Sequence, residues 1–356
     1  MKDNNIEIAD LNLPGIVNKK LTNGIDISLI EYGNLPLVNM QFIINIGSLS
    51  EIKNEQQWLT SFLANYLKEG SKQYNGSNII DLFASYGGSI DINASDDNLF
   101  INVEVLSKFA NNAIQIIADI LKNPNFPIQE QKRIKDDLLR NLDLLQVDPQ
   151  SLTSARLNHL IFHDHPYGRE FPEKKNIEKF SYSILQSFYK NSIDSSKTKI
   201  YLLGKFDINQ VDKQLENSFG DWDFGYGNKM KSPKLTQKNA WSLIDREKAH
   251  QSTIKIAMRL NDFSIDQYPS LILINALLGG TFISRITTNI REDKGYSYSP
   301  ISQLSVDKKY CFWTQTADVS TEVTKESFQE IFFEINRLTK TAPSVKELNG
   351  MITHLS

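Results

Sequence analysis

Gln56-Gln57-Trp58-Leu59-Thr60-Ser61-Phe62-Leu63-Ala64-Asn65-Tyr66-Leu67-Lys68-Glu69-Gly70-Ser71 reads as one amphipathic helix closed by a glycine. Trp58, Leu59, Phe62, Leu63, Tyr66 and Leu67 recur at helical spacing, and Gly70 is a natural C-terminal stop. Ser61 and Asn65 stand four apart, so they share one face, with Ala64 beside them. Working outward, Ile25 to Leu29 alternates as a strand, Asn34-Leu35-Pro36 turns, and Val38 to Ile46 is an apolar strand ending at Gly47. Beyond the helix, Asn78 to Tyr86 is a second helix stopped by Gly87-Gly88. The strands Ser89 to Ala94 and Leu99 to Leu106 follow, joined by Ser95-Asp96-Asp97-Asn98.

Helices are expected at Asn111 to Leu121, Ile128 to Gln146, Leu152 to Phe162 and Ile177 to Asn191, and a strand at Thr198 to Leu203. Asp223 to Asn239 contains Gly, Lys and Pro without periodicity and reads as a linker. The pattern then restarts: strand Thr253 to Arg259, helix Tyr268 to Leu278 stopped by Gly279-Gly280, strands around Tyr298 to Val306 and Tyr310 to Ala317, and helix Lys325 to Leu338. The apolar positions of Asn111 to Leu121 are echoed by those of Glu326 to Leu338, each after a strand of the same register. This predicts an α+β protein of two homologous domains, each a mostly antiparallel sheet packed with helices. The expected division is 1–222, a linker at 223–239, and 240–356. The second copy stops soon after its matching helix, so the second domain is expected to be incomplete and the chain a fragment.

At 356 residues and a formal net charge of -3, the composition gives no reason to invoke nucleic acid or an acidic membrane surface. The single cysteine, Cys311, excludes an internal disulfide and lies in an apolar run expected to bury it. No segment is read as approaching the ~20 apolar residues of a membrane span. The N-terminus shows no targeting signal, which implies the cytoplasm by default, or the periplasm if a signal peptide was trimmed.

The second half carries Gly279-Gly280-Thr281-Phe282-Ile283-Ser284-Arg285, leading into Arg291-Glu292-Asp293-Lys294-Gly295-Tyr296-Ser297-Tyr298. This resembles the G-G-x-x-x-S-R and L-R-E-x-x-G-x-x-Y motifs of the pitrilysin/insulinase zinc peptidases, the inverzincins. The likeness extends over nearly the whole chain. In that family the helix equivalent to Gln56–Ser71 carries H-x-x-E-H before a Gly-Thr/Ser ending. Aligning Gly70-Ser71 with that ending puts Ser61 and Asn65 at the two histidines and Ala64 at the water-activating glutamate. The distal glutamate ligand falls near Asn141. Neither Ser nor Asn replaces imidazole well as a zinc ligand, and Ala has no proton to move. The resemblance therefore implies no catalytic residue for water activation, no metal and no cofactor in this chain.

His159, His163 and His165 are spaced permissibly for a metal. The loop His165-Pro166-Tyr167-Gly168, however, resembles a family loop that binds none. The resemblance assigns Arg291 and Tyr298 to substrate binding and oxyanion stabilisation. A planar cationic fork and a neutral hydroxyl can both hold a peptide carbonyl. The plainer alternative is an Arg291–Glu292 or Arg291–Asp293 surface pair with a core tyrosine. Gly295 is expected at positive φ. Some bacterial family members are heterodimers of a zinc chain and a zinc-less chain bearing the Arg/Tyr pair, a division similar to that of mitochondrial processing peptidase. The resemblance thus implies a non-zinc subunit with a zinc-bearing homologous partner, zinc in that partner, and an extended peptide substrate. The alternative is a catalytically inactive binding or scaffold protein.

Overall fold

The computed structural model describes residues 13–223, 239–260, 263–306 and 310–355, in two compact units. The first comprises residues 10–144 and 171–231. Its strands are β1 (Val17–Lys20), β2 (Asp26–Glu31), β3 (Leu37–Ile44), β4 (Ser89–Ala94), β5 (Leu99–Leu106) and β6 (Thr198–Gly204), in the order β1-β2-β6-β3-β5-β4. Only the β2–β6 pair is parallel. Strict alternation along β3 buries Val38, Met40, Phe42 and Ile44 on one face. The helices are α1 (Leu59–Lys68), α2 (Gly76–Ser85), α3 (Ala110–Lys122), most of α4 (Gln131–Val147), and, after the segment containing α5 (Pro149–Phe162), α6 (Lys174–Glu178), α7 (Tyr182–Ser192) and α8 (Ile208–Phe219).

Helix α1 starts three residues later than the periodicity predicts. Trp58 sits at φ 72°, a left-handed backbone that an α-helix cannot include. The amides of Trp58 and Thr60 are taken instead by the carboxylate of Glu51, at 3.0 and 2.9 Å. Glu51 is itself 3% exposed, so a buried charge supplied from outside the helix satisfies its N-terminus. The other end is as expected. Gly70 lies at φ 96°, and a Cβ there would stand 2.1 Å from the Tyr74 carbonyl oxygen. Phe62, Leu63, Tyr66 and Leu67 enter the core, and burial pushes the Tyr66 hydroxyl up to about 12. The helix expected at Ile177 to Asn191 is two, because Ser181 caps α7 by accepting from the Ile184 amide.

The second unit comprises residues 145–170 and 232–356. Its sheet is β7 (Gln251–Arg259), β8 (Ile301–Val306) and β9 (Cys311–Ser320), in the order β7-β9-β8, all antiparallel. That order repeats β3-β5-β4: the first strand pairs with the last, and the last with the middle. Between β7 and β8 run α9 (Tyr268–Asn275), a π-helical segment Ala276–Gly280, the short α10 (Arg285–Thr287) and a second π segment Thr288–Asp293. After β9 come α11 (Thr324–Lys340) and α12 (Val345–Leu355). The short turn Thr321–Val323 precedes α11 just as Ser107–Phe109 precedes α3, so the internal repeat holds at this detail.

The expected end-to-end division is modified by one exchange. Helix α5 belongs to the second unit, where Leu157, Ile161 and Phe162 pack with Ala257, Tyr310 and Phe312. Lys255 Nζ donates to Ser154 Oγ at 2.5 Å, and Gln150 Nε2 to Asp318 at 2.6 Å. Most of the expected linker, residues 224–238, lies outside the described residues. Limited proteolysis at 223–239 should therefore leave two fragments that co-elute on gel filtration, since the N-terminal fragment carries α5. Separation into two peaks would show that α5 does not hold β7.

One expectation is corrected by composition. The run Ile265–Asp293 is long and apolar enough to cross a membrane by those measures. Its path breaks at residues 281–284, and Leu277, Leu278, Ile286 and Ile290 are buried in the unit, as in a core helix. Cys311 is buried, and burial pushes its thiol up.

Candidate functional site

The four positions that matter to the zinc alignment come together. Ser61, Ala64 and Asn65 from successive turns of α1 and Asn141 from α4 line one cavity of about 200 Å³ in the first unit. The last residues of β4, Ile92 to Ala94, form another of its walls. Helical spacing put the first three on one face, whereas bringing Asn141 there required α4 to lie beside α1 and the end of β4.

The chemistry of this set does not fit a zinc ion. Zinc is bound by thiolate, imidazole or carboxylate, and the four positions supply a hydroxyl, a methyl and two amides. Asn65 is turned back into its own helix, donating to the Ser61 carbonyl oxygen at 2.9 Å. Ala64 is buried and offers no group to take a proton. Among the described residues no three His, Cys, Asp or Glu side chains form a cluster able to hold a metal.

The histidines near residue 160 serve the local fold. The Nδ1 of His159 lies 3.0 Å from the Gly168 carbonyl oxygen. His165 Nδ1 accepts from the Tyr167 amide, and its ring packs against Phe162 and Tyr167. His163 stands at φ 49° and caps α5.

In the second unit, Arg291 and Tyr298 are neighbours. The Arg291 guanidinium carbon lies 4.7 Å from the centroid of Phe282 and 5.4 Å from that of Tyr298. The cation is thus in contact with two aromatic rings. Its Nε is 3.2 Å from Glu292 Oε1, so the plain surface pair exists, while its Nη1 is buried with no partner among the described residues. Tyr298 is 83% exposed, which rules out the core tyrosine of the plainer alternative. Phe282 and Ile283 are also exposed, and sequence reasoning assigned neither a role. Their signal was position: both fall in the loop directly after Gly279-Gly280.

A partly buried polar network is built from the same segment. Arg285 makes two parallel hydrogen bonds to Glu347, at 2.7 and 3.0 Å. Asn289 donates to Glu330 and Glu334, and Lys294 reaches both Asn289 and Glu330. Gly295 has φ 64°, as expected, and lets the chain turn so that the Tyr296 amide reaches the Ile290 carbonyl at 2.8 Å.

The hydrogen bond from Arg285 holds the Glu347 carboxyl below its usual range, and that from Lys294 does the same for Glu330. A carboxylate with a depressed folded-state pKa contributes stability above its unfolded value and loses it as pH falls through the folded one. The second unit should therefore weaken selectively in acid. Arg285 is only 8% exposed on its side chain, so Glu347→Ala, which leaves it unpaired, should cost about 3 kcal/mol. Denaturation at pH 7 and pH 4 measures both effects. Glu347→Ala should flatten the acid dependence, and an unchanged pH profile would remove this pair as its source.

Residues 30–173 match the family model described as Insulinase (Peptidase family M16), and residues 179–355 that described as Peptidase M16 inactive domain. The chain belongs to peptidase family M16. It is 25% identical over 285 residues to an uncharacterized zinc protease of Rickettsia bellii, covering 79% of this chain and 68% of that one. It is also 25% identical over 256 residues to the non-peptidase homolog YmxG of Helicobacter pylori, covering 71% of this chain and 58% of that one. The peptidase M16 inactive domain from Pseudomonas fluorescens superimposes with a TM-score of 0.85 at 20% identity, over 96% of this chain and 83% of that structure. The names differ on activity, and the residues decide for this chain. Hydroxyl, methyl and amides at Ser61, Ala64, Asn65 and Asn141 make it an M16 protein of the inactive type.

Proposed function

We propose that this chain is the non-zinc subunit of a heterodimeric metallopeptidase, holding an extended peptide and supplying Arg291 and Tyr298 to the active site of a zinc-bearing homologous partner. The observation that carries this reading is the contrast between the two motifs. The metal positions have lost every suitable donor, while Arg291 and Tyr298 stand side by side with the tyrosine exposed. Arg291 offers fixed positive charge and Tyr298 a hydroxyl donor, together able to hold a carbonyl oxygen that gains charge.

The first unit adds a place for a peptide. Among the described residues β4 is an end strand of its sheet, paired with β5 alone, so its outer edge presents backbone donors and acceptors to which none of those strands pairs. An extended segment can add to such an edge through main-chain hydrogen bonds, largely independent of its side chains.

The rival reading is a scaffold without a part in proteolysis. It is favoured by the engagement of Arg291 with Glu292 and two aromatic rings, which a structural role would also produce. Mixing the purified chain with a zinc-bearing M16 homologue from the same source separates the two. Cleavage of a quenched fluorescent peptide by the mixture but not by this chain supports the subunit reading. Complex formation whose cleavage rate equals that of the zinc chain alone supports the scaffold.

A further inference from the structure

The cavity around Ser61 and Asn65 has changed its chemistry as well as lost one. Lys68, one turn beyond Asn65 on α1, is among the described residues the only ionisable side chain lining it. Lys68 is exposed and, among the described residues, has neither an ion pair nor a hydrogen-bonded acceptor. The Asn141 side chain is likewise without a partner there. Asn93 and Asn65 each have one of their two amide hydrogens committed, to Asp91 and to the Ser61 carbonyl. Among the described residues, the Lys68 ammonium, the Asn141 amide and the Ser61 hydroxyl are the lining donors of α1 and α4 with every hydrogen uncommitted, and no carboxylate of those residues lines the cavity. Trp58, Leu138 and Ile92 supply apolar wall. At about 200 Å³ the cavity is smaller than the ~300 Å³ at which small-molecule sites begin, so it suits one side chain or a chain end.

We infer that this cavity is a carboxylate pocket: it takes an acidic group of a peptide lying along the free edge of β4. The inference rests on the reading that this unit holds an extended peptide. The carboxylate can come from an Asp or Glu side chain or from the peptide's C-terminus, and the three donors serve either source. The Lys68 ammonium provides the charge, and Asn141 and Ser61 fix the oxygens.

Fluorescence anisotropy with labelled, C-amidated, Thr/Val-rich peptides tests it. The peptides carry one central Glu, Gln or Lys, and the Gln peptide is also made with a free C-terminal carboxylate. The Glu peptide should bind about tenfold more tightly than the amidated Gln peptide, the scale of one charged hydrogen bond. That preference should vanish in Lys68→Met, persist in Lys68→Arg and turn toward the Lys peptide in Lys68→Glu. If the terminus is the source, the free-acid Gln peptide shows the advantage instead, with the same dependence on Lys68. Equal binding of the Glu, Gln and free-acid peptides overturns the pocket while leaving the peptide-holding reading standing. No binding of any of them overturns both. Because Lys68 is exposed, circular dichroism melts of its variants should match the unsubstituted protein, and the peptide comparison on that protein decides the matter without any variant.

Discussion

Arg291→Ala and Tyr298→Phe, each assayed in the complex with a zinc-bearing partner, are expected to lower kcat by roughly 100- to 1,000-fold, the usual cost of removing one donor aimed at a developing oxyanion. The chain's own stability should change little. Tyr298 is 83% exposed, and Tyr298→Phe removes only a hydroxyl oxygen. Arg291→Ala gives up contacts to two exposed rings and a surface pair with Glu292, together about 1 kcal/mol or less. Turnover and melting temperature measured on the same samples separate the possibilities. Loss of turnover with an intact melt fits a group that acts on substrate. Parallel loss of both identifies the cluster as structural. Wild-type turnover in both variants would end the catalytic role assigned to the pair and leave the scaffold reading in possession.

The second large effect concerns metal. Elemental analysis of the purified chain after mild dialysis should find no stoichiometric zinc, because Ser61, Asn65 and Asn141 supply a hydroxyl and two amides where imidazole or carboxylate is needed. Ser61→His, Asn65→His and Asn141→Glu made together should change this to about one zinc per chain, with a zinc-dependent rise in melting temperature. The geometry permits it. All three positions line one cavity, Ser61 and Asn65 are half-buried and Asn141 is exposed, so the larger side chains have room. Zinc bound to the unsubstituted chain and lost on changing Asn65 would overturn the alignment on which the inactive assignment stands. Failure of the triple variant to bind zinc, with its fold intact by circular dichroism, would mean that the cavity has lost the geometry of the site as well as its donors.

Much of the fold follows from local pattern. An apolar run marked β3, a turn at 95–98 separated β4 from β5, and Gly70 and Gly295 take the positive φ values their neighbours imply. Helix α8 gave a weaker signal. Val211, Leu215 and Phe219 make a narrow apolar stripe on an otherwise polar helix, recognisable only once α3 is known to cover it. Strand β1, Val-Asn-Lys-Lys, is largely exposed and has no alternation; pairing with β2 alone makes it a strand.

The start of α1 was illegible for a different reason. Its cap comes from Glu51, outside the helix, and local capping patterns cannot show a partner delivered by the loop's path. The identity of the donors at Ser61, Ala64, Asn65 and Asn141, and with it the mismatch to zinc, was present in the sequence, since ligand chemistry belongs to residue type. Tertiary structure alone decided three things: that α5 packs on β7, that Arg291 lies against Phe282 as well as Tyr298, and that Lys68 lines the cavity of Ser61, Asn65 and Asn141 together with the end of β4. Each depends on contacts between residues far apart in the chain or on side-chain direction, and periodicity constrains neither beyond a single helix or strand.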